Sequence, residues 1–452
     1  MPNSGDTTDT IAAISSALGR GALSIVRLSG PGVREIARQM LTPFPRTIRR
    51  ATLAVARDPV SGVVLDQLVA VRYDAPSSYT GESMLELTCH GGLATSRGVL
   101  SSCLALGARA ATAGEFTRRA LLNGKLDLAQ AEGLPDLIDA SSEPMRRVAL
   151  GIVGGSLSRV VARLRATLLE LEAVMAYSVD FPEEDEGEVP LGDVLAMADA
   201  VRKQLAMLIE TADRGSIIRE GALIVFAGAP NVGKSSLFNA LLGHDRAIVT
   251  EIPGTTRDAI EHPSIVCSWP VRLVDTAGLR RSDDVLERLG IEVSERYIKD
   301  ADVGIVCGDG TTVELDDMAR KVRGLGAEAT LCVQTKLDLR EHERIDDGTV
   351  WVSAKTGAGL RELREAVAAV LDARYGRLDY EHPVITQARH KEALVRASHE
   401  VARFTESLER GVTTALAMVH IRASVIALEE IIGAVSVDDL LDQIFTRFCV
   451  GK

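Results

Sequence analysis

The sequence has no long hydrophobic run and no basic, apolar leader at its N-terminus. No apolar stretch approaches the ~18 residues that a membrane-spanning helix needs, and Met1–Thr10 is polar and acidic. These absences argue against a membrane-embedded chain and against a secretory signal. We therefore expect the protein to lie in the cytoplasm.

Cysteine is scarce, and its positions form no pattern. The six cysteines include no CxxC pair; they are Cys89, Cys103, Cys267, Cys307, Cys332 and Cys449. In a large chain without a secretory signal, such scattered thiols are expected to stay reduced. The sequence therefore does not predict a disulfide framework.

An excess of positive charge is also missing. The formal net charge of −12 argues against bulk electrostatic attraction to nucleic acid or to anionic membranes. It leaves room for a local basic face, and one candidate cluster consists of Arg146, Arg147, Arg159, Arg163 and Arg165. A solvated helix face explains the same arginines, so both interpretations stay open.

The chain has ample apolar material and more length than one core can use. Its 452 residues are 46% hydrophobic and 25% charged, which predicts two or three globular domains. Residues 1–120 contain strand-like runs at Leu23–Leu28, Leu65–Val71 and Met84–Leu87, the last followed by the turn His90-Gly91-Gly92. This first part is predicted to be a compact α+β domain.

Two regions show helical periodicity, and a third lies between them. Apolar residues recur every three or four positions in two stretches before residue 212, and again after residue 380. The stretches are Leu157–Met175, Val194–Leu208, Ala393–Phe404, Leu416–Ile432 and Leu440–Phe448. Residues 220–375 instead alternate apolar strands with amphipathic helices, as in a parallel α/β sheet. The strand candidates are Leu223–Ala227, Val271–Val274, Val303–Val306, Thr330–Val333 and Val350–Ser353.

A phosphate-binding loop opens the α/β region. The segment Gly228–Ser235 fits the pattern GxxxxGK[ST], follows an apolar strand and precedes a helical segment. Its glycines allow backbone N–H groups to surround phosphates, and the helix N-terminus adds partial positive charge. Lys234 is predicted to contact the β- and γ-phosphates and Ser235 to bind Mg²⁺.

Two further segments follow in the order expected of a nucleotide switch. Asp275 ends an apolar strand and is followed by Thr276-Ala277-Gly278, so that Asp275 supports the magnesium shell and Gly278 directs its N–H toward a γ-phosphate. The segment Gly254–Asp258 offers Thr256 as a second magnesium ligand. Leu279 occupies the position where Ras-like enzymes carry a water-orienting Gln. Hydrolysis must therefore use another residue, a monovalent cation or a partner.

The choice of base is predicted from two segments after later strands. Asp338, in Thr335-Lys336-Leu337-Asp338, offers a carboxylate to the N1 and N2 groups of guanine, which adenine lacks. Ser353-Ala354-Lys355 offers a backbone N–H to guanine O6. GTP is therefore the predicted nucleotide. The predicted nucleotide-binding residues are Asn231, Val232, Gly233, Lys234, Ser235, Ser236, Thr250, Glu251, Ile252, Pro253, Gly254, Thr255, Thr256, Asp275, Thr276, Ala277, Gly278, Thr335, Lys336, Asp338, Ser353, Ala354 and Lys355.

Motifs outside the nucleotide region give the chain a close resemblance to one family. They are Asp9–Ile14, Ser78–Glu82, Cys89–Gly92, Gly114–Leu128 and the terminal Cys449-Val450-Gly451-Lys452. With the nucleotide motifs, they make nearly the whole chain resemble the tRNA-modification GTPases called MnmE or TrmE. The resemblance implies a multidomain α/β and α+β fold. An N-terminal α+β domain (1–122) would bind formyl-tetrahydrofolate and form a homodimer. A Ras-like G domain (220–375) would be inserted into a discontinuous helical domain (123–219 and 376–452).

The resemblance also implies particular ligand contacts. By motif match, the folate contacts fall on Arg27, Glu86, Lys125 and Lys452. Cations suit the glutamate tail of the folate, and a carboxylate suits the donor edge of its pterin. In the G domain the resemblance implies a K⁺ ion that takes over the charge stabilisation of an arginine finger. Its ligands would be Asn231, Thr250, Ile252 and Thr255. Glu287 would help to position the attacking water, and the catalytic set would be Glu287, Lys234, Thr256 and Gly278.

The implied biology is modification of the wobble uridine of certain tRNAs at carbon five. An FAD-containing partner, MnmG (also called GidA), would join the homodimer in a heterotetramer, and the folate would supply one carbon. Two alternatives stay open at this point. One is a ribosome- or rRNA-associated GTPase that acts as a switch, and the other is a nucleotide-binding scaffold without catalysis.

One departure from the family concerns the helix after the folate segment. The family usually has helix-forming residues where Gly133 and Pro135 stand. Proline lacks a backbone donor, so we expect a kink or break after Glu132.

Thr335 is a second departure, because the usual residue there is Asn. Thr is shorter and has no amide, so we expect weaker guanine binding without loss of specificity. The substitution Thr335→Asn is expected to raise the affinity for GDP, as measured by calorimetry, and to keep the preference for GDP over ADP. An unchanged or lowered GDP affinity would show that the threonine does not limit binding.

Overall fold

The computed structural model describes residues 9–17, 19–180, 190–244, 261–275, 295–339, 348–376 and 383–433, together with residues 445, 448, 450 and 451. These form two compact units. The first contains residues 1–135 and 429–452, and the second contains residues 136–428. Each unit has its own sheet.

The first unit is built on a seven-stranded sheet with the order β3-β4-β5-β6-β2-β1-β7. Neighbouring strands pair antiparallel, except for β1 and β7, which pair parallel. The strands are β1 (Ile11–Ile14), β2 (Leu23–Ser29), β3 (Leu41–Thr42), β4 (Thr52–Arg57), β5 (Val64–Tyr73), β6 (Met84–His90) and β7 (Arg109–Ala110). The predicted strands at 23–28, 65–71 and 84–87 are confirmed.

Helices cover both faces of this sheet. They are α1 (Val33–Met40), α2 (Leu93–Ala105), α3 (Glu115–Leu122) and α4 (Leu128–Ile138). On one face, Val26 and Leu28 of β2 belong to the same buried cluster as residues of α1 and α2. On the other face, Phe116 of α3 packs with Ile11 and Met84. Because side chains alternate along a strand, Arg27 and Glu86 lie on the face of the sheet against which Phe116 packs.

An ion network around the buried side chain of Arg119 joins three of the family-like motifs. The side chain of Arg119 is 5% exposed and pairs with Asp9, with Glu82 at 3.1 Å and with Glu115 at 3.1 Å. Arg109 pairs with Asp9 at 2.7 Å and with Glu115 at 2.6 Å. Burial works to raise the pKa of Glu115, but the hydrogen bonds from Arg109 and from the N–H of Thr112 outweigh it and lower that pKa. The network therefore fixes α3 to the residues before β1 and before β6.

Helix α4 continues through Pro135, so the expected break after Glu132 is wrong. The helix runs from Leu128 to Ile138 with Pro135 inside it. Its residues Leu128, Ala129, Ala131, Glu132 and Gly133 are buried. Packing of this face compensates for the single hydrogen bond that proline removes.

In the second unit, some helices alternate along the chain with the strands of a second sheet, and long helices come before and after this region. The helices are α5 (Glu143–Val153), α6 (Ser156–Asp180), α7 (Leu191–Glu220), α8 (Lys234–His244), α9 (Thr312–Gly324), α10 (Leu360–Tyr375), α11 (Ala388–Glu409) and α12 (Thr414–Ile432). The predicted stripes are buried on α6 and α7, for example at Leu157, Leu164 and Leu205. A Cβ on Gly215 of α7 would lie 2.0 Å from the carbonyl oxygen of Ile385, so the chain that returns at residues 383–387 requires glycine there.

The second sheet has six strands in the order β13-β12-β11-β8-β10-β9. All pairs are parallel except β9 with β10. The strands are β8 (Ala222–Gly228), β9 (Glu261–Val266), β10 (Trp269–Asp275), β11 (Val303–Gly308), β12 (Thr330–Gln334) and β13 (Val350–Trp351). The predicted parallel α/β region is confirmed, and β9 is the strand that the sequence analysis missed.

Two absences hold for the described part of the chain. No helix there is long and apolar enough to cross a membrane. Cys89, Cys103, Cys267, Cys307 and Cys332 are free thiols, as expected of reduced cysteines, and Cys449 lies outside the described residues.

The network of Arg119 predicts a pH-dependent contribution to stability. Removing this buried cation leaves Glu82 without its arginine and leaves Asp9 and Glu115 with Arg109 alone. Arg119→Met is therefore expected to lower the free energy of unfolding of the first unit by about 3 kcal/mol at neutral pH. The folded-state pKa values of Asp9 and Glu115 lie below their ordinary values of 3.8 and 4.5. Their stabilisation is therefore complete above these ordinary values and is lost as the pH falls below them.

The measurement is urea unfolding near neutral pH and at about pH 2 to 3, below both ordinary pKa values, with pulsed hydrogen exchange of the α3 amides as the readout. Arg38→Met is the matched control, because Arg38 is 60% exposed in its side chain. Equal stability of the two variants, or a loss in Arg119→Met that does not shrink in acid, would contradict the prediction.

Candidate functional site

The loop between β8 and α8 has the backbone shape of a phosphate cradle. Strand β8 ends at Gly228, and α8 begins at Lys234. Three residues of this segment have positive φ: Gly228 at 145°, Asn231 at 62° and Gly233 at 98°. A Cβ on Gly228 would lie 2.2 Å from the carbonyl oxygen of Cys307, so only glycine allows β8 to approach β11 there. Such turns direct successive N–H groups toward one point, which favours an anion.

Lys234 holds its charge against this loop. The residue is 6% exposed, and Nζ donates to the carbonyl oxygens of Gly228 at 3.0 Å and Ala229 at 2.7 Å. Ser235 and Ser236 are exposed in the first turn of α8. The loop therefore combines a cation, a helix N-terminus and an accessible hydroxyl, which is the donor set that a magnesium-bound phosphate needs.

Asp275 lies at the same edge of the sheet. It is the last residue of β10, which pairs parallel with β8 and sets Asp275 opposite Phe226. The carboxyl end of β10 is therefore beside the strand that leads into the phosphate loop. Thr276, Ala277 and Gly278 follow it and lie outside the described residues.

The segment predicted to read the base is fixed by its neighbours. Ser353 Oγ donates to Asp338 Oδ1 at 2.6 Å, and this bond holds the pKa of Asp338 below its usual value. Lys336 has a φ of 56° and pairs with Asp309 through Nζ. Thr335 is 3% exposed and donates its backbone N–H to Gly308 at 2.8 Å. Asp338 is thus an oriented, ionised carboxylate at neutral pH.

The turn after β13 completes this edge. Ser353 is fully buried, accepts the N–H of Thr356 at 3.2 Å and donates its own N–H to the carbonyl oxygen of Ala358. Ala354 and Lys355 lie in the turn between these contacts. Because β8, β10, β11, β12 and β13 are all parallel, the loops after them meet at one edge. The structure therefore brings together the phosphate loop, Asp275, Thr335–Asp338 and Ser353–Lys355.

The remaining predicted residues of the nucleotide site lie outside the described residues. They are Thr250, Glu251, Ile252, Pro253, Gly254, Thr255, Thr256, Thr276, Ala277, Gly278 and Glu287. Asn231, the described member of the predicted potassium set, is exposed within the phosphate loop.

A second group of predicted residues meets in the first unit. Arg27 and Glu86 face each other across β2 and β6, and Arg27 donates through Nε and Nη2 to Glu86 Oε1 at 3.0 and 2.8 Å. The guanidinium lies 5.6 Å from the ring centroid of Tyr79 and 5.8 Å from that of Phe116. Tyr73 OH donates to Glu86 Oε2 at 3.3 Å. Arg27 and Glu86 keep 21% and 24% of their side chains exposed.

Lys125 is attached to the loop that carries Tyr79. Its Nζ donates to the carbonyl oxygen of Pro76 at 3.1 Å, and Asn123 Nδ2 donates to that of Thr80 at 2.7 Å. A Cβ on Gly81 would lie 2.9 Å from the Cβ of Asn123. The loop of residues 76–81 thus contacts Arg27 through Tyr79 and Lys125 through Pro76.

The C-terminal segment reaches the same sheet. Val450 pairs with Ala113, and a Cβ on Gly451 would lie 2.4 Å from the carbonyl oxygen of Ile14. Strand β1, which ends at Ile14, is the neighbour of β2 that carries Arg27. Lys452 itself lies outside the described residues, but its covalent neighbour is fixed beside this sheet.

Sequence reasoning missed several residues of both sites. Around Arg27 these are Tyr73, Tyr79 and Phe116, and the last two stand inside motifs that signalled the family. At the nucleotide edge they are Asp309, paired with Lys336, and Gln334, whose Nε2 donates to the carbonyl oxygen of Gly310 at 2.9 Å. No local pattern marks Asp309 or Gln334, because their partners are distant in sequence.

Two family models match the chain, and together they cover nearly all of it. The family model described as "MnmE helical domain" matches residues 128–449, and the one described as "GTP-binding protein TrmE N-terminus" matches residues 10–125. Among solved structures, the G domain of the T. maritima FeoB iron transporter is 23% identical and covers 33% of this chain and 98% of that chain, with a TM-score of 0.24. A TM-score of that size supports no comparison of folds.

Similar proteins match over their full length. A protein of Aquifex aeolicus (strain VF5) is 40% identical over 450 residues, which cover 98% of this chain and 100% of that protein. A protein of Azoarcus sp. (strain BH72) is 41% identical over 451 residues, 98% of each chain. Both carry the name tRNA modification GTPase MnmE. This chain therefore belongs to the family of tRNA modification GTPases called MnmE or TrmE.

Proposed function

We propose that the protein is a cytoplasmic GTPase that takes part in modifying the wobble uridine of tRNA at carbon five. An FAD-containing partner, MnmG, acts with it in a heterotetramer, and a formyl-tetrahydrofolate supplies one carbon. One observation carries the proposal: the relatives named for tRNA modification match over 98% of the chain. The matched TrmE N-terminus model spans residues 10–125, the part of the chain that contains Arg27 and Glu86 and that lies outside the nucleotide loops.

The proposed domains follow the order of the motifs. Residues 1–122 bind the folate and form the homodimer, residues 123–219 and 376–452 form one helical domain, and residues 220–375 are a G domain inserted into it. A short connection and the hydrogen bonds of Asp302 support the insertion. Gly221 is the single residue between α7 and β8. Asp302 accepts the N–H of Leu223 near the start of β8 and the hydroxyl of Tyr375 at the end of α10. The two ends of the proposed insertion thus share one side-chain partner, which supports the proposal.

In the proposed G domain, binding and base choice belong to different loops. Lys234 and the backbone N–H groups around Gly233 hold the phosphates, and Asp338 accepts hydrogen bonds from guanine. Ser235 and Thr256 would hold Mg²⁺, which supplies charge neutralisation at the β- and γ-phosphates when bound. The backbone N–H of Gly278 would contact the γ-phosphate, and Glu287 would orient the attacking water in place of the missing glutamine.

Potassium is the proposed source of the remaining charge stabilisation. Asn231 fits this role because its exposed amide stands in the phosphate loop, and Thr250, Ile252 and Thr255 would complete the shell. When bound, the ion supplies the positive charge that an arginine finger supplies elsewhere. The two G domains of the homodimer would meet to become active.

The Arg27–Glu86 group fits a folate by its chemistry. Both side chains are partly exposed, and the rings of Tyr79 and Phe116 lie beside the guanidinium, so the group offers opposite charges next to an aromatic surface. Glu86 would accept the donor edge of the pterin. Arg27, Lys125 and Lys452 would bind the glutamate tail.

The potassium proposal predicts a salt-specific rate. GTP hydrolysis is expected to be at least about tenfold faster in potassium than in sodium buffer of equal ionic strength, because one bound cation stabilises the transition state. The measurement is phosphate release, with the dimer state followed by light scattering. Asn231→Lys is expected to lose the potassium stimulation. Equal rates in the two salts would contradict the cation mechanism.

The folate proposal predicts a loss of binding that leaves GTP hydrolysis intact. Glu86→Gln is expected to weaken binding of 5-formyl-tetrahydrofolate about tenfold, because a charged acceptor is lost. The measurement is calorimetry with the full-length protein, and Arg34→Met is the control, since Arg34 is exposed and pairs with Asp74. Wild-type protein without measurable folate binding would favour the ribosome-associated switch instead.

A further inference from the structure

The hydroxyl of Thr335 is buried among backbone carbonyls of the nucleotide edge. The residue directly follows β12 and is 3% exposed. Its Oγ1 donates to the carbonyl oxygen of Val232, in the phosphate loop, and has a second acceptor in the carbonyl oxygen of Gly308 at 3.1 Å. Both acceptors belong to the protein, and both are far from Thr335 in sequence. The hydroxyl therefore joins three loops.

The direction of this side chain is strongly constrained. Threonine is branched at Cβ, so few χ1 values are open to it. Its backbone N–H is bound to Gly308 at 2.8 Å, which fixes the main chain. A Cβ placed on Gly233 would lie 3.6 Å from Oγ1 and 3.7 Å from Cβ of Thr335, so the side chain packs directly against the phosphate loop. A hydroxyl has one proton, and here that proton points to Val232 or Gly308.

The base-reading group stands three residues later and has its own support. Asp338 is oriented by Ser353, and the N–H of Leu337 donates to the carbonyl oxygen of Val352 at 3.0 Å. Lys336, between Thr335 and Leu337, pairs with Asp309. Thr335 thus anchors the start of the loop whose end carries the carboxylate, while Val352 and Ser353, which follow β13, hold Leu337 and Asp338 at its other end.

We propose that Thr335 is a positioning residue whose hydroxyl ties the base-reading loop to the phosphate loop, and that it makes no contact with the base. The proposal rests on guanine-nucleotide binding by this edge, as proposed above. It assigns the side-chain recognition of guanine to Asp338, and it makes the buried hydrogen bond of Thr335 one of the contacts that set the position of Asp338 relative to Lys234. Phosphates and base are then held at the spacing of a single nucleotide.

The test separates a tie between loops from a contact with the base. Thr335→Val removes the hydroxyl and keeps the shape of the side chain, and Thr335→Ser keeps the hydroxyl. The affinity of the full-length protein is measured for GDP, for 7-deaza-GDP and for 6-thio-GDP. These analogues lack or weaken the N7 and O6 acceptors of guanine, which are the two groups a hydroxyl donor can meet.

The expected results follow from the position of the hydroxyl. Thr335→Val should bind GDP about tenfold more weakly, as for the loss of one buried hydrogen bond, and should lose the same factor for both analogues. Thr335→Ser should stay within about twofold of the wild type for all three. With GTP as the substrate, KM of Thr335→Val should rise by about the factor by which GDP binding weakens, because the hydroxyl acts through the binding loops.

Three results would overturn the proposal. A loss with GDP that disappears with either analogue would place the hydroxyl on the base. Wild-type affinity in Thr335→Val would show that the tie is not needed. A kcat that falls with unchanged KM would make Thr335 part of the catalytic machinery. Should Thr335→Val not fold, Thr335→Ala takes its place, with thermal unfolding of the nucleotide-free protein as the control. Wild-type protein that does not bind GDP at all would instead refute the proposed function.

Discussion

The nucleotide edge depends on the close approach of β8 and β11 at Gly228. Any side chain there would collide with the carbonyl oxygen of Cys307, 2.2 Å from the position of its Cβ. The approach places the start of the phosphate loop beside the carboxyl end of β11, and Gly308 at that end receives the N–H and lies near the hydroxyl of Thr335. The absence of a side chain at Gly228 thus allows the predicted phosphate loop and the predicted base-reading loop to lie close together.

The two predicted ligand sites differ in how their charges are arranged. At the nucleotide edge a buried lysine donates to two carbonyl oxygens beside the N-terminus of α8, so positive potential is concentrated where phosphates are predicted to bind. In the first unit, Arg27 and Glu86 neutralise each other at 2.8 Å and stay partly exposed beside two aromatic rings. A ligand with both donor and anionic groups can engage each partner of that pair separately. In the same unit, the charges of the Arg119 network pair with one another, and the network links the motifs around Asp9, Glu82 and Glu115.

Much of the nucleotide edge could be predicted from the sequence, because its signals are local. The phosphate pattern, the strand before it and the helix after it lie within about twenty consecutive residues, and parallel topology then requires the later loops to share an edge. Strand β9 was missed because it is an edge strand with the mixed sequence Glu261–Val266 and only one fully buried residue. Helix α4 passes through Pro135 because its buried face outweighs one lost hydrogen bond, and a local pattern does not reveal that packing.

Pairings between residues that are distant in sequence could not be predicted from local sequence patterns. Arg27 and Glu86 were both named as ligand contacts, but their mutual ion pair depends on the register of β2 against β6. The burial of Thr335 against Val232 likewise depends on tertiary contact across 103 positions.

The most direct test of guanine recognition by Asp338 is the affinity of the purified protein for GDP and ADP in the presence of magnesium. We predict a preference for GDP of at least about a hundredfold that Asp338→Asn abolishes. Equal binding of the two nucleotides by the wild type would contradict it.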